Sequence, residues 1–79
     1  MLIRFTQAAR RHRIGRGPIR YVMATAVPFV TTTTTGVEAY AWIGRDDRNR
    51  KLTIIALIGT NPATGEAALV VIHVQPEYR

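Results

Sequence analysis

The sequence predicts an α+β domain in which two short N-terminal helices pack on a three- to four-stranded antiparallel sheet. Apolar residues recur at helical spacing in the first third of the chain, and strand-like segments separated by turn-forming residues fill the rest. Helices followed by a run of strands are typical of the α+β class, with the helices on one face of the sheet. We expect the 79 residues to form one domain spanning 1–79.

One helix is predicted over 6–13 and a second over 18–26. Apolar positions in the first repeat at i, i+3, i+4 and i+7 from Phe5, and His12 lies on the same stripe. The second begins with a proline, which is favoured in a first helical turn, and ends before Pro28. Both helices therefore present one apolar face to a sheet.

Three strands are predicted over 37–43, 51–58 and 67–75. The last of these is apolar on both faces, which predicts a central position in the sheet. The β-branched threonines at 31–35 indicate an edge strand or an extended approach to the sheet. The apolar residues at 2–5 indicate a brief strand or an anchored arm.

The chain carries 11 Lys and Arg against 5 Asp and Glu, a formal charge of +6, and all but one of the cations are arginine. Arginine binds phosphates through a bidentate fork, so a basic chain of this kind predicts nucleic acid, an acidic protein or an anionic membrane as partner. The membrane is disfavoured because no run of 18 apolar residues occurs and the N-terminus lacks the apolar core of a signal peptide. We expect a soluble cytoplasmic protein.

The absence of cysteine excludes a disulfide scaffold, a thiol nucleophile and cysteine-ligated zinc. With two histidines and five carboxylates, we expect neither a metal nor another cofactor. Asp46 and Asp47 are adjacent in a polar turn, where side chains diverge. We interpret them as turn formers rather than as a catalytic pair.

The cations form two clusters, one over 10–20 and the other over 45–51. No acid precedes Glu38 to neutralise the first cluster, whereas Asp46 and Asp47 partly neutralise the second. Trp42 shares a strand face with Tyr40 and either stacks on bases or packs across strands. The candidate nucleic-acid-binding residues are Arg10, Arg11, Arg13, Arg16, Arg20, Arg45, Arg48, Arg50, Lys51 and Trp42.

The sequence contains no strong catalytic motif, but histidine, tyrosine and arginine suffice for RNA cleavage without a metal. A base takes the proton of the 2′-hydroxyl, cations stabilise the charge at phosphorus, and an acid protonates the 5′-oxygen. The candidate catalytic residues are His73, Tyr78 and His12. If Leu69 and Val71 face the helices, so does His73, and its role is structural. If that face is the open one, His73 lies in a groove beside Gln75.

Two segments resemble the small RelE/BrnT-like toxins of bacterial toxin–antitoxin systems: 5–12 (FTQAARRH) and 41–55 (AWIGRDDRNRKLTII). The resemblance implies a RelE-like fold and a ribonuclease that stops translation by cutting mRNA, in some members on the ribosome. It also implies a cognate antitoxin as protein partner. His73 and Tyr78 would be catalytic, and Arg16 and Arg45 would bind phosphates.

Two alternatives remain open at this stage. Relatives of the same fold inhibit gyrase or have lost activity, so inhibition of a protein target is one alternative. The other is a non-catalytic basic module that binds nucleic acid or protein. Exposed sheet edges also make a homo-oligomer a candidate assembly.

Overall fold

The computed structural model describes residues 2–6 and 14–77. These ranges contain one helix and five strands. In chain order the elements are β1 Leu2–Phe5, α1 Arg16–Thr25, β2 Phe29–Thr32, β3 Glu38–Arg45, β4 Lys51–Thr60 and β5 Ala67–Pro76.

The strands form a single mixed sheet in the order β1-β5-β4-β3-β2. The last four strands of the chain form an antiparallel meander, whereas β1 runs parallel to β5, with Ile3 opposite Leu69 and Phe5 opposite Val71. Thr6 extends this pairing, because its backbone N–H and its hydroxyl both donate to the Val71 carbonyl oxygen, at 3.1 and 3.0 Å. As predicted, β5 is an interior strand.

The predicted two-helix, antiparallel architecture is wrong. Residues 2–5 add a parallel strand beside β5, and residues 29–32 add an antiparallel edge strand beside β3, so the sheet is mixed and five-stranded. One helix occurs in the ranges that the structure covers. The helix predicted over 6–13 lies, apart from Thr6, outside them.

The helix packs on the half of the sheet formed by β3 and β4. Its predicted apolar stripe is confirmed: Ile19 and Val22 are fully buried, and Met23 and Ala26 pack against the same core. The approach is close because Gly44 lacks a side chain. A Cβ at Gly44 would lie 3.0 Å from the Cβ of Ala26 and 3.4 Å from Cγ1 of Val22.

The register divides the sheet into two faces, since directly paired residues point to the same side. Trp42, Ile54 and Val74 form one cross-strand row beneath the helix, and all three are buried. The opposite side, here called the open face, has no helix over it within the described part of the chain. No helix in residues 2–6 and 14–77 is long and apolar enough to cross a membrane.

Candidate functional site

The open face carries polar and cationic side chains in successive cross-strand rows at the end of the sheet where β4 begins. Arg45 pairs with Lys51 in the first row, Ile43 with Thr53 and Gln75 in the second, and Ala41 with Ile55 and His73 in the third. Arg45, Lys51 and Gln75 are exposed, and His73 is half-buried. Rows on one face lie about 6.6 Å apart, so the three rows span about 13 Å.

A β-bulge in β5 sets the direction of His73. Ile55 pairs with His73 but Ala56 pairs with Val71, which leaves Ile72 as an extra residue without a partner in the strand register. Val71 is fully buried beneath the helix, and a regular strand would send residue 73 to the same side. The bulge reverses this alternation, so Val71 faces the core while His73 faces outward.

The imidazole of His73 has a neutral polar neighbour. Its Nε2 lies 3.2 Å from Oε1 of Gln75, and when Nε2 carries the proton it donates to that oxygen. This contact fixes the orientation of the ring and leaves Nδ1 as the second site for a proton. His73 is therefore a half-buried polar side chain on the open face whose ring is hydrogen-bonded to Gln75.

A groove of about 290 Å³ lies on the open face, and its residues Thr53 and Gln75 belong to the cross-strand row next to that of His73. Its lining residues are Ile43, Lys51, Thr53, Gln75, Pro76 and Glu77. At its rim, Nζ of Lys51 lies 3.3 Å from Oε2 of Glu77, and both side chains are about half exposed. Exposed ion pairs contribute little to stability, so both groups stay available to a ligand.

The turn between β3 and β4 is organised by the buried carboxylate of Asp46, whose side chain is fully inaccessible. Its Oδ1 accepts from the backbone N–H groups of Arg48 and Arg50, at 2.9 and 2.8 Å, and its Oδ2 accepts from Nε of Arg50 at 2.8 Å. Asn49 adopts the left-handed conformation, with φ of 64°. The interpretation of Asp46 as a turn former is therefore confirmed.

Opposing effects act on the pKa of Asp46. Burial raises it, but the hydrogen bonds from Arg50 and Arg48 and the positive charge of Arg50 outweigh burial and leave the pKa below its ordinary value. The carboxylate is therefore charged at neutral pH and committed to the turn.

The turn also engages some of the predicted phosphate-binding cations. Arg50 is bound to Asp46, and Nη1 of Arg45 donates to the Asn49 carbonyl oxygen at 2.9 Å. Arg45 remains exposed, and a guanidinium has five N–H donors, so most of its donors stay free for an anion. Arg48 is exposed at the tip of the turn.

Trp42 occupies the core rather than the surface. Its side chain is 5% exposed and belongs to the cluster under the helix. Tyr40 shares that face, as predicted, but is partly exposed. The structure thus corrects the candidate list: the indole ring is packed against apolar neighbours and is not presented for base stacking.

The sheet separates the helix arginines from His73. Arg16 stacks over the Phe5 ring, with Cζ 5.5 Å from the ring centroid, on the helix side. Arg20 is exposed one helical turn further on. Among the candidates that the structure describes, His73, Arg45 and Lys51 share the open face.

The remaining candidates, Arg10, Arg11, Arg13, His12 and Tyr78, lie outside the residues that the structure describes. Their assignments stay predictions.

Sequence reasoning missed Thr53, Ile43 and Glu77 as members of the site. The alternation of Lys51 and Thr53 along β4 signals a shared face. The corresponding polar residues of β5 could not be recognised from the sequence, because the bulge at Ile72 interrupts the two-residue alternation of that strand.

No group of three or more histidine, cysteine, aspartate or glutamate side chains within 2–6 and 14–77 is arranged to hold a metal ion. Comparisons with protein-family models, with curated proteins and with solved structures found no match to this chain. The function is therefore argued from the geometry of the open face and from the sequence.

Proposed function

We propose that the chain is an endoribonuclease of the toxin type, which binds mRNA on the open face of the sheet and cleaves it without a metal. The observation that supports this proposal is the outward orientation of His73 on the same face as Arg45 and Lys51. A proton carrier and cations on one surface are the groups that metal-independent RNA cleavage needs.

In this proposal the RNA strand crosses the rows of the open face. Arg45 and Lys51 bind phosphates at one end, and His73 transfers a proton at the scissile phosphate about 13 Å away. The ribose 2′-oxygen attacks phosphorus as the bond to the 5′-oxygen breaks, leaving a 2′,3′-cyclic phosphate and a 5′-hydroxyl. The resemblance implies a catalytic role for Tyr78, and the sequence makes His12 a further catalytic candidate.

The cations on the helix side have a different assignment. Arg16 and Arg20 face away from the open face, so we assign them to an acidic segment of a cognate antitoxin that neutralises the toxin. Translation inhibition by mRNA cleavage places this activity in the cytoplasm.

The test is cleavage of a mixed-sequence RNA in EDTA by the wild type, His73→Ala and Arg20→Ala. We expect His73→Ala to slow cleavage by about 100-fold or more, the usual contribution of a general acid or base, while RNA affinity stays within about threefold. Arg20→Ala, on the helix side, should cleave at the wild-type rate. Intact RNA with the wild type, or unchanged cleavage by His73→Ala, would contradict the nuclease proposal.

A second candidate is RNA binding without cleavage. It is favoured because the hydrogen-bond partner of the His73 imidazole is the Gln75 amide, and no second acid or base contacts the ring among the described residues. Under this candidate, RNA stays intact, and replacing Arg45 and Lys51 by alanine weakens binding. Losing two phosphate contacts to single-stranded RNA should reduce the log–log salt slope by about 1.4.

A further inference from the structure

We infer that the groove beside His73 is a nucleobase site that selects guanine, an inference that rests on the proposed RNA-binding function. The groove lies on the open face, and its polar residues Thr53 and Gln75 occupy the row next to His73. A base held there belongs to a nucleotide adjacent to the phosphate that His73 reaches. The groove has a volume of about 290 Å³, which is close to the lower end of the range for small-molecule sites, about 300 Å³.

The selectivity follows from the Lys51–Glu77 pair at the rim of the groove. Because Nζ of Lys51 lies 3.3 Å from Oε2 of Glu77, the pair presents a cationic donor beside two carboxylate acceptors. The Watson–Crick edge of guanine presents the complementary series, with the O6 acceptor followed by the N1–H and N2–H donors. Guanine therefore places O6 towards Lys51 and both N–H groups towards Glu77, and the third N–H of the Lys51 ammonium remains available to a phosphate.

The other bases match this arrangement less well. Uracil offers O4 and N3–H in the same order, but its O2 would face the carboxylate as a second acceptor. Adenine and cytosine can place their amino group on Glu77 and their ring acceptor on Lys51, but they then make two hydrogen bonds where guanine makes three. Splayed bases of single-stranded RNA are commonly read on this edge.

Two further features of the groove suit a base. Ile43 is 46% exposed and gives the ring an apolar surface to lie against. Glu77 is anchored by its own backbone, since its N–H donates to the Lys51 carbonyl oxygen at 2.9 Å. This bond holds the two charged residues together independently of their side chains, so substitution of the Glu77 side chain should leave the backbone in place.

The experiment measures binding of the full chain to labelled UUNUU pentamers by fluorescence anisotropy, with N as each of the four bases. All riboses carry 2′-O-methyl groups, so the 2′-oxygen cannot attack and cleavage does not interfere. The variant is Glu77→Gln. Its matched control is Glu66→Gln, the same change at an exposed position in the loop before β5.

We expect the guanine pentamer to bind about tenfold more tightly than the other three, the discrimination of one bidentate base contact. Glu77→Gln should reduce this preference below about twofold, because the amide replaces one acceptor by a donor, while Glu66→Gln should retain it. Binding without a base preference, or a guanine preference that survives in Glu77→Gln, would overturn the guanine site and leave RNA binding intact. No binding of any pentamer would overturn both proposals.

Discussion

Ile55 of β4 lies directly opposite His73 of β5, and the next residue along β4 already pairs with Val71. The extra residue, Ile72, lets two side chains that are two positions apart in one strand point to opposite faces. Val71 is fully buried under the helix, whereas His73 is directed outward. The bulge thus reconciles an apolar interior strand with a polar strip formed by His73 and Gln75.

Deleting Ile72 tests this interpretation of the strand. The deletion restores the two-residue alternation, with Val71 inward, His73 outward and Val74 inward, so we expect the protein to fold. The cost should be about 1–2 kcal/mol, from the lost burial of one half-buried isoleucine. Urea denaturation of the variant measures the free energy of unfolding.

The control is deletion of Thr53 in β4. Its neighbours Leu52 and Ile54 are both fully buried, so removing the residue between them forces one towards the open face. We expect this variant not to fold stably. If the Ile72 deletion lowers the free energy of unfolding as much as the Thr53 deletion does, then Ile72 is not an extra residue that the strand can lose.

Asp46→Asn should destabilise the fold by about 1–3 kcal/mol at neutral pH, because it disrupts charge-assisted hydrogen bonds in a buried turn. Asp47→Asn is the matched control, since Asp47 is exposed, and it should change stability by less than about 0.5 kcal/mol. Chemical denaturation at pH 7 measures both variants.

The contribution of the Asp46 carboxylate to the free energy of unfolding should also depend on pH. Because the folded protein has the lower pKa, the stabilisation is fully present above the ordinary value of 3.8 and is lost as the pH falls further, through the folded-state pKa. The stability difference between the wild type and Asp46→Asn should therefore shrink below about pH 4. A difference that stays constant down to pH 2 would contradict the assignment.

Gly44→Ala and Gly17→Ala should differ in their effects on stability. The added methyl at Gly44 meets Ala26 at 3.0 Å, and overpacking of this kind costs about 1–3 kcal/mol. At Gly17, a Cβ meets nothing within 4 Å beyond its chain neighbours, but Pro18 follows and offsets the helix preference of alanine, so stability should change by less than about 0.5 kcal/mol. Thermal melts of the two variants give the comparison, and a stable Gly44→Ala protein would show that the helix is packed less closely.

The sequence predicted those parts of the fold that depend on local pattern. The helix over 18–26 is found at Arg16–Thr25, and the three strands from residue 37 onward begin within a residue of their predicted starts. The parallel pairing of β1 with β5 joins segments more than sixty residues apart, and no local periodicity encodes such a contact. The sheet was therefore predicted as antiparallel and short of strands.

The site was predictable only in part, for a related reason. A strand pattern assigns faces by counting in twos, and Ile72 breaks the count between Val71 and His73. The sequence identified His73, Arg45 and Lys51 as candidates, and all three lie on the open face. Which of them share that face depended on the bulge, and the burial of Trp42 depended on where the helix packs.

The open face as the RNA surface is the central claim, and methyl-resolved NMR of the full chain titrated with a 2′-O-methyl RNA tests it most directly. The methyls of Ile43, Thr53 and Ile55 report on the open face, and those of Ile19 and Met23 report on the helix side. We predict RNA-induced shifts at the first group, together with the His73 ring, and none at the second. Shifts confined to the helix methyls, or none on either side, would contradict the claim.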